Sequence, residues 1–190
     1  RDVERSRGLG DVYKRQNLKY KSDIKANFLI TLGDEFQGLL NSPAFALEIV
    51  KYIQRELYPV KLRFGIGIGE ISTVINENAA IGADGPAFYA AREIINFLKN
   101  EEKHLKNQAP DIQIEYYNSK SIEIDEINII LALIKVIEDS WTDKQRYTIW
   151  DMMLNGGSQE KCAKRMKTSQ STVARRLLDG CLLYTSPSPR

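Results

Sequence analysis

Ile30-Thr31-Leu32-Gly33-Asp34-Glu35-Phe36-Gln37-Gly38-Leu39-Leu40 decides how this chain is read, because two short apolar runs flank one glycine and two adjacent carboxylates. Residues 26–32 are apolar and favour extended backbone, residues 36–40 are apolar again, and Gly33 supplies the permissive backbone of a tight reversal. The stretch is expected to form a β-hairpin with acids at its tip. Neighbouring strand residues point to opposite faces, so one of Asp34 and Glu35 can face a groove beside the sheet. A carboxylate there suits Mg²⁺, which takes one or two carboxylates together with substrate phosphates; a solvated acidic turn is the plainer reading.

Both ends of the chain read as foreign. Residues 6–16 translate a transposase adapter used in preparing sequencing libraries, residues 181–190 translate its reverse complement, and residues 1–5 fit the flanking primer bases. Residues 1–16 and 181–190 are therefore expected to be non-native, with the natural protein cut at both ends, and they are set aside from the fold reading. The full chain carries 27 Lys and Arg against 25 Asp and Glu; residues 17–180 carry 21 against 22. Those 164 residues suffice for one sizeable domain with an appendage.

Charge is unevenly placed. Residues 140–180 hold eight Lys and Arg against four Asp and Glu, and residues 17–139 hold thirteen against eighteen. That asymmetry points to a polyanion-binding tail on a mildly acidic body. Cys162 is the single cysteine of residues 17–180, which leaves no disulfide framework and fits a reducing, cytoplasmic location. His104 is the single histidine, so a histidine-based triad or zinc site has no basis. No apolar run approaches the ~20 residues of a bilayer span, so no membrane partner is expected.

Along the body, Ser42-Pro43 opens an amphipathic helix whose apolar residues Phe45, Ile49, Tyr52, Ile53 and Leu57 recur at three and four residues. Pro59 stops it. Val60 to Ile71 alternates with period two and places Gly65, Gly67 and Gly69 on one face, where a helix or a ligand can approach closely. Gly82-Ala83-Asp84-Gly85-Pro86 is a turn leading into a helix from Ala87 to Leu98, where Asp84 caps the helix or an anion sits at its N-terminus. Asp111 to Tyr117 alternates as a further strand.

This order predicts an α+β fold, a mostly antiparallel sheet with helices on one face, whose first strand lies upstream of residue 17. Gly33-Asp34-Glu35-Phe36, then Arg63-Phe64-Gly65-Ile66-Gly67-Ile68-Gly69, then Ala87-Phe88-Tyr89-Ala90-Ala91-Arg92 together resemble the ferredoxin-like palm core of diguanylate (GGDEF-like) and class III nucleotide cyclases. The resemblance implies a metal-ligand role for Asp34, a phosphate-proximal turn at Gly33, and a phosphate-contacting cation at Arg92, with Glu35 beside them. Leu32 stands where diguanylate cyclases have a first glycine, and Phe88 where the nucleotide cyclases have an asparagine. The second metal carboxylate of those families belongs to the first strand.

A helix from Ile122 to Ile137, apolar at 127, 130, 131, 134 and 137, is expected to link residues 17–120 to a small all-α domain at 140–180. There Thr142 and Gln145 have capping-box spacing, and Tyr147, Trp150, Met153 and Leu154 are expected as the buried face of the following helix. Ser158 caps a helix from 159 to 166, and Ser169 caps another from Gln170 to Leu178, with Ala163 and Val173 in their contact. This resembles a helix-turn-helix of the sigma-factor and response-regulator type. Lys167 and Thr168 depart from the glycine and apolar residue usual in its turn.

On that reading Ser169 opens the recognition helix, Gln170, Ser171, Thr172 and Arg175 meet bases, and Lys164, Lys167 and Arg176 meet phosphates. A helical bundle used for dimerisation, with its arginines solvated, is the alternative. Palm and tail together resemble the SatD family of bacterial proteins. The resemblance implies a cytoplasmic DNA-binding transcription regulator whose cyclase-like domain senses a nucleotide with Mg²⁺ or supports a homodimer. The alternative is a Mg²⁺-dependent nucleotide cyclase or nucleotide-processing enzyme with an accessory helix-turn-helix.

Overall fold

The computed structural model describes residues 12, 14–32, 35–78, 80, 82–105 and 109–180. It has a mixed α+β architecture, and its contacts divide the chain into two compact units, residues 1–131 and 132–190.

In the first unit, β1 (Ile24–Leu32) and β2 (Glu35–Leu40) pair antiparallel from Ile24↔Leu40 to Leu32↔Glu35, giving the hairpin that the apolar runs imply. A 3₁₀ turn (Pro43–Phe45) follows, capped by Ser42, and runs into α1 (Ala46–Glu56). β3 (Phe64–Ile68), α2 (Pro86–Leu105) and β4 (Ile112–Tyr116) complete a strand-helix-strand unit. β3 and β4 pair in parallel, Phe64↔Ile112 through Ile68↔Tyr116. The mostly antiparallel sheet read from the sequence is thus, among the described residues, one antiparallel and one parallel pair. The connection between β3 and β4 carries a helix, as a parallel crossover requires.

Ile49, Val50 and Ile53 of α1 form the core with Phe64, Ile112, Ile114 and Leu131. Two asparagines close strand backbones that, among the described residues, have no neighbouring strand on that side. Asn128 accepts from Ile114 N at 2.9 Å and donates to Ile114 O at 2.8 Å; Asn17 does the same for Phe28, both at 2.9 Å. A side-chain amide here replaces one rung of the ladder, so these backbone groups are satisfied without another strand.

α3 (Ile122–Ser140) runs through the division at Leu131. In the first unit Ile124, Ile127 and Leu131 pack on the core and Ile130 is exposed; Ile137, in the second unit, is exposed as well.

The second unit contains α4 (Asp143–Asn155), α5 (Gln159–Arg165) and α6 (Gln170–Asp179). Ile149, Met152, Cys162, Ala163, Val173 and Leu177 are its buried core, with Trp141 and Met166 against it. The buried face of α4 is Thr148, Ile149 and Met152. Tyr147, Met153 and Leu154 are exposed and Trp150 is half-buried, so the face expected from apolar spacing is displaced. The cause is Thr148: its hydroxyl donates to Lys144 O at 2.7 Å, which lets a polar residue occupy the core side of the helix.

Candidate nucleic-acid interface

Hydroxyl caps fix where each short helix of the second unit begins. Thr142 accepts from Gln145 N, while Gln145 Oε1 accepts from Thr142 N at 2.8 Å, completing a capping box. Ser158 accepts from Lys161 N at 3.3 Å and Ser169 from Thr172 N at 3.2 Å. The Ser169 hydroxyl also lies 3.0 Å from that of Ser171 and 2.8 Å from that of Thr172, so it is committed to the start of α6.

Between α5 and α6 the chain turns on Lys167, whose φ of +50° is left-handed. Lys167 N donates to Lys164 O at 3.3 Å and Thr168 N to Ala163 O at 2.9 Å, closing the turn. Lysine thus adopts the conformation for which glycine is favoured, at a local backbone cost.

The DNA-reading residues named from the sequence fall into two groups. Lys164, Lys167, Ser169, Gln170, Ser171 and Arg175 are exposed, and Thr172 is half-buried at the side of α6. Arg176 is half-buried and donates from Nη1 to the Thr148 hydroxyl at 3.2 Å, so it braces α6 on α4. Lys164 pairs with Glu160 one turn earlier at 3.1 Å, an exposed contact of small worth that a phosphate can displace.

Two cations that charge counting assigned to the tail's surface excess serve the fold. Arg165 grips Asp151 with Nε at 2.9 and 3.0 Å and Nη2 at 2.6 Å, and reaches Gly156 O at 3.2 Å, tying α5 to α4. This guanidinium holds the Asp151 carboxyl below the usual carboxylate range. Burial, and then the neighbouring Asp151, push the Cys162 thiol up to about 11. Arg146 donates to Glu138 O and lies over the rings of Trp141 and Trp150, 5.4 and 5.7 Å from their centroids. Spacing alone gave no signal for Arg165 on Asp151 or Arg146 on Glu138, because those partners lie across a turn; Trp150, by contrast, is four residues along the same helix as Arg146.

In the first unit, Gly33 and Asp34 lie outside the described residues, so the metal reading of Asp34 has no geometry here. Glu35 is engaged: Lys99 Nζ of α2 lies 2.9 Å from its Oε1. Arg92 is exposed on the same helix, seven residues before Lys99 and hence on the same face, roughly 10 Å along the axis. The glycine face of β3 is filled by α2. A Cβ on Gly67 would lie 2.0 Å from Ala87 O, and one on Gly65 would lie 2.7 Å from Ala91 O, so helix packing accounts for these glycines. Asp84 closes the start of α2, its Oδ1 accepting from Gly85 N at 3.0 Å and its Oδ2 from the Tyr89 hydroxyl at 2.9 Å.

Among the described residues, no group of three or more His, Cys, Asp or Glu could hold a metal ion, and no helix is long and apolar enough to cross a membrane. The family model of the SatD family matches residues 4–185. No curated protein and no solved structure matches the chain.

Proposed function

The chain belongs to the SatD family, and from that premise we propose that it is a DNA-binding regulator whose α5 and α6 act as a helix-turn-helix. One observation carries the reading: α6 is anchored by buried Val173 and Leu177 while Gln170, Ser171 and Arg175 stay exposed, with Lys164 and Lys167 exposed beside them. In such a motif the second helix enters the major groove with its N-terminal residues against base edges, and flanking lysines neutralise phosphates.

The first unit is proposed as a nucleotide-cyclase-like palm that senses a nucleotide with Mg²⁺ or holds two copies together. Sensing is proposed ahead of turnover because two-metal catalysis requires a second carboxylate beside Asp34, a role that the cyclase resemblance does not assign to Glu35. A DNA-binding role of this kind goes with a cytoplasmic location, which is part of the same proposal.

Mobility shift of the whole chain with duplex DNA at two salt concentrations tests the DNA reading: binding that weakens steeply with salt supports it, and no binding at low salt sinks it. Titration calorimetry with nucleoside triphosphates, with and without Mg²⁺, tests the palm. A heat signal that needs Mg²⁺ supports sensing, and its absence removes the nucleotide from the proposal.

A further inference from the structure

Val173 and Leu177 are almost fully buried and fix the inward side of α6. At 3.6 residues per turn the side opposite them carries Ser171, Arg175 and Leu178, spaced four and three residues apart. All three are exposed, Leu178 at 65 %. A large aliphatic side chain thus shares the outward stripe of the helix with the arginine that faces most directly away from the core.

Resting on the DNA-binding reading, we infer that this stripe reads a G·C pair adjoining a T·A pair, with Arg175 on the guanine and Leu178 on the thymine methyl. The guanidinium fork matches guanine O6 and N7, the commonest specific contact in the major groove. Leucine has no donor or acceptor, and the C5 methyl of thymine is the apolar feature that the groove offers it. Leu178 lies three residues beyond Arg175, about 4.5 Å along the axis. Successive base pairs are spaced ~3.4 Å apart, so the two side chains address neighbouring pairs. Ser171, one turn before Arg175, is short enough to let the helix sit deep.

The test selects duplexes that bind the whole chain from a random pool, then alters single atoms in the best one. Deoxyuridine for thymine removes only the methyl group, and 7-deazaguanine for guanine removes only N7. One deoxyuridine position is expected to weaken the wild-type protein about fourfold, the worth of roughly one buried methyl. A 7-deazaguanine next to it is expected to weaken binding further. Leu178→Ala becomes indifferent to that deoxyuridine, Leu178→Met keeps the sensitivity, and Arg175→Ala becomes indifferent to the 7-deazaguanine. Selection with wild-type indifference to every deoxyuridine overturns this inference alone, as does sensitivity that survives Leu178→Ala. No selection and no duplex binding at low salt overturns the DNA reading itself.

Discussion

Arg176 Nη1 lies 3.2 Å from the hydroxyl of Thr148, a residue that is itself fully buried on α4. The Thr148 hydroxyl gives its proton to Lys144 O, so toward Arg176 it is an acceptor. Arg175, the next residue, is exposed. Adjacent arginines therefore do different work, and single substitutions separate them. Arg176→Ala is expected to lower the stability of the second unit by about 1 kcal/mol through loss of a charged hydrogen bond, leaving sequence preference intact. Arg175→Ala is expected to leave stability unchanged and to cost about 1–3 kcal/mol of discrimination at one base pair. Urea melts and binding to matched and mismatched duplexes check the two; a loss of discrimination in Arg176→Ala would reverse the assignment.

Lys167 gives opposite signs for folding and for binding. Its φ of +50° is strained for lysine and free for glycine. Lys167→Gly is expected to stabilise the fold by about 0.5–1 kcal/mol, the relief of strain less the entropy that glycine adds to the unfolded chain. The same change removes an exposed cation next to α6, so the slope of log binding constant against log salt should fall by about one. Denaturation midpoints and salt titrations of the one variant read both effects. An unchanged slope means that Lys167 touches no phosphate.

The pair Cys162 and Asp151 makes the second unit's stability depend on pH at both ends. The folded Cys162 thiol titrates near 11 against an ordinary 9.0, so folding favours the protonated form. Stability from this group is complete below pH 9 and falls as pH rises toward 11. Asp151 titrates below its ordinary 3.8 because Arg165 bonds its charged form, so its contribution is complete above that value and is lost as pH falls through the folded pKa. Cys162→Ala should flatten the alkaline limb of a stability-against-pH profile, and Asp151→Asn the acid limb. A profile unchanged at both ends in both variants refutes the linkage.

How much of this was legible in the sequence follows from what each signal encodes. Thr142, Ser158 and Ser169 were readable as caps because a hydroxyl before a helix has a local partner, and each of them accepts the expected backbone N–H. The hairpin of β1 and β2 was readable for the same local reason. The direction of β4 against β3 was not, since period-two alternation carries no direction. The buried face of α4 was misjudged because Thr148 satisfies its hydroxyl within its own helix. Among site residues, exposure of Gln170, Ser171 and Arg175 matches what a cap and a buried Val173 imply, whereas the inward turn of Arg176 depends on a partner 28 residues away. Val12 and Gln16 lie in the stretch set aside as foreign, yet both are buried.

The glycine strand yields a stability prediction that also separates packing from ligand binding. Gly67→Ala puts a Cβ 2.0 Å from Ala87 O and 2.6 Å from Ala91 N, both backbone atoms that cannot move without shifting α2. A loss of about 3 kcal/mol is expected, the upper range for overpacking. Were the face a ligand cleft, the variant would fold normally and lose only binding. Thermal melting of Gly67→Ala discriminates the two outcomes.

Gln16 is 0 % exposed, and among the described residues neither its Nε2 nor its Oε1 has a hydrogen-bond partner. A buried amide without partners forfeits its water contacts and recovers nothing, which costs about 1–3 kcal/mol. Leucine has a similar length and no polar atoms, so Gln16→Leu removes the desolvation cost while keeping the volume. The variant is expected to gain about 1–3 kcal/mol, read as a higher urea midpoint with an unchanged slope. A lower midpoint would mean that the amide is satisfied by a bound water. Asparagine is too short to keep the volume and stays polar, so Gln16→Asn should lose stability relative to the wild type.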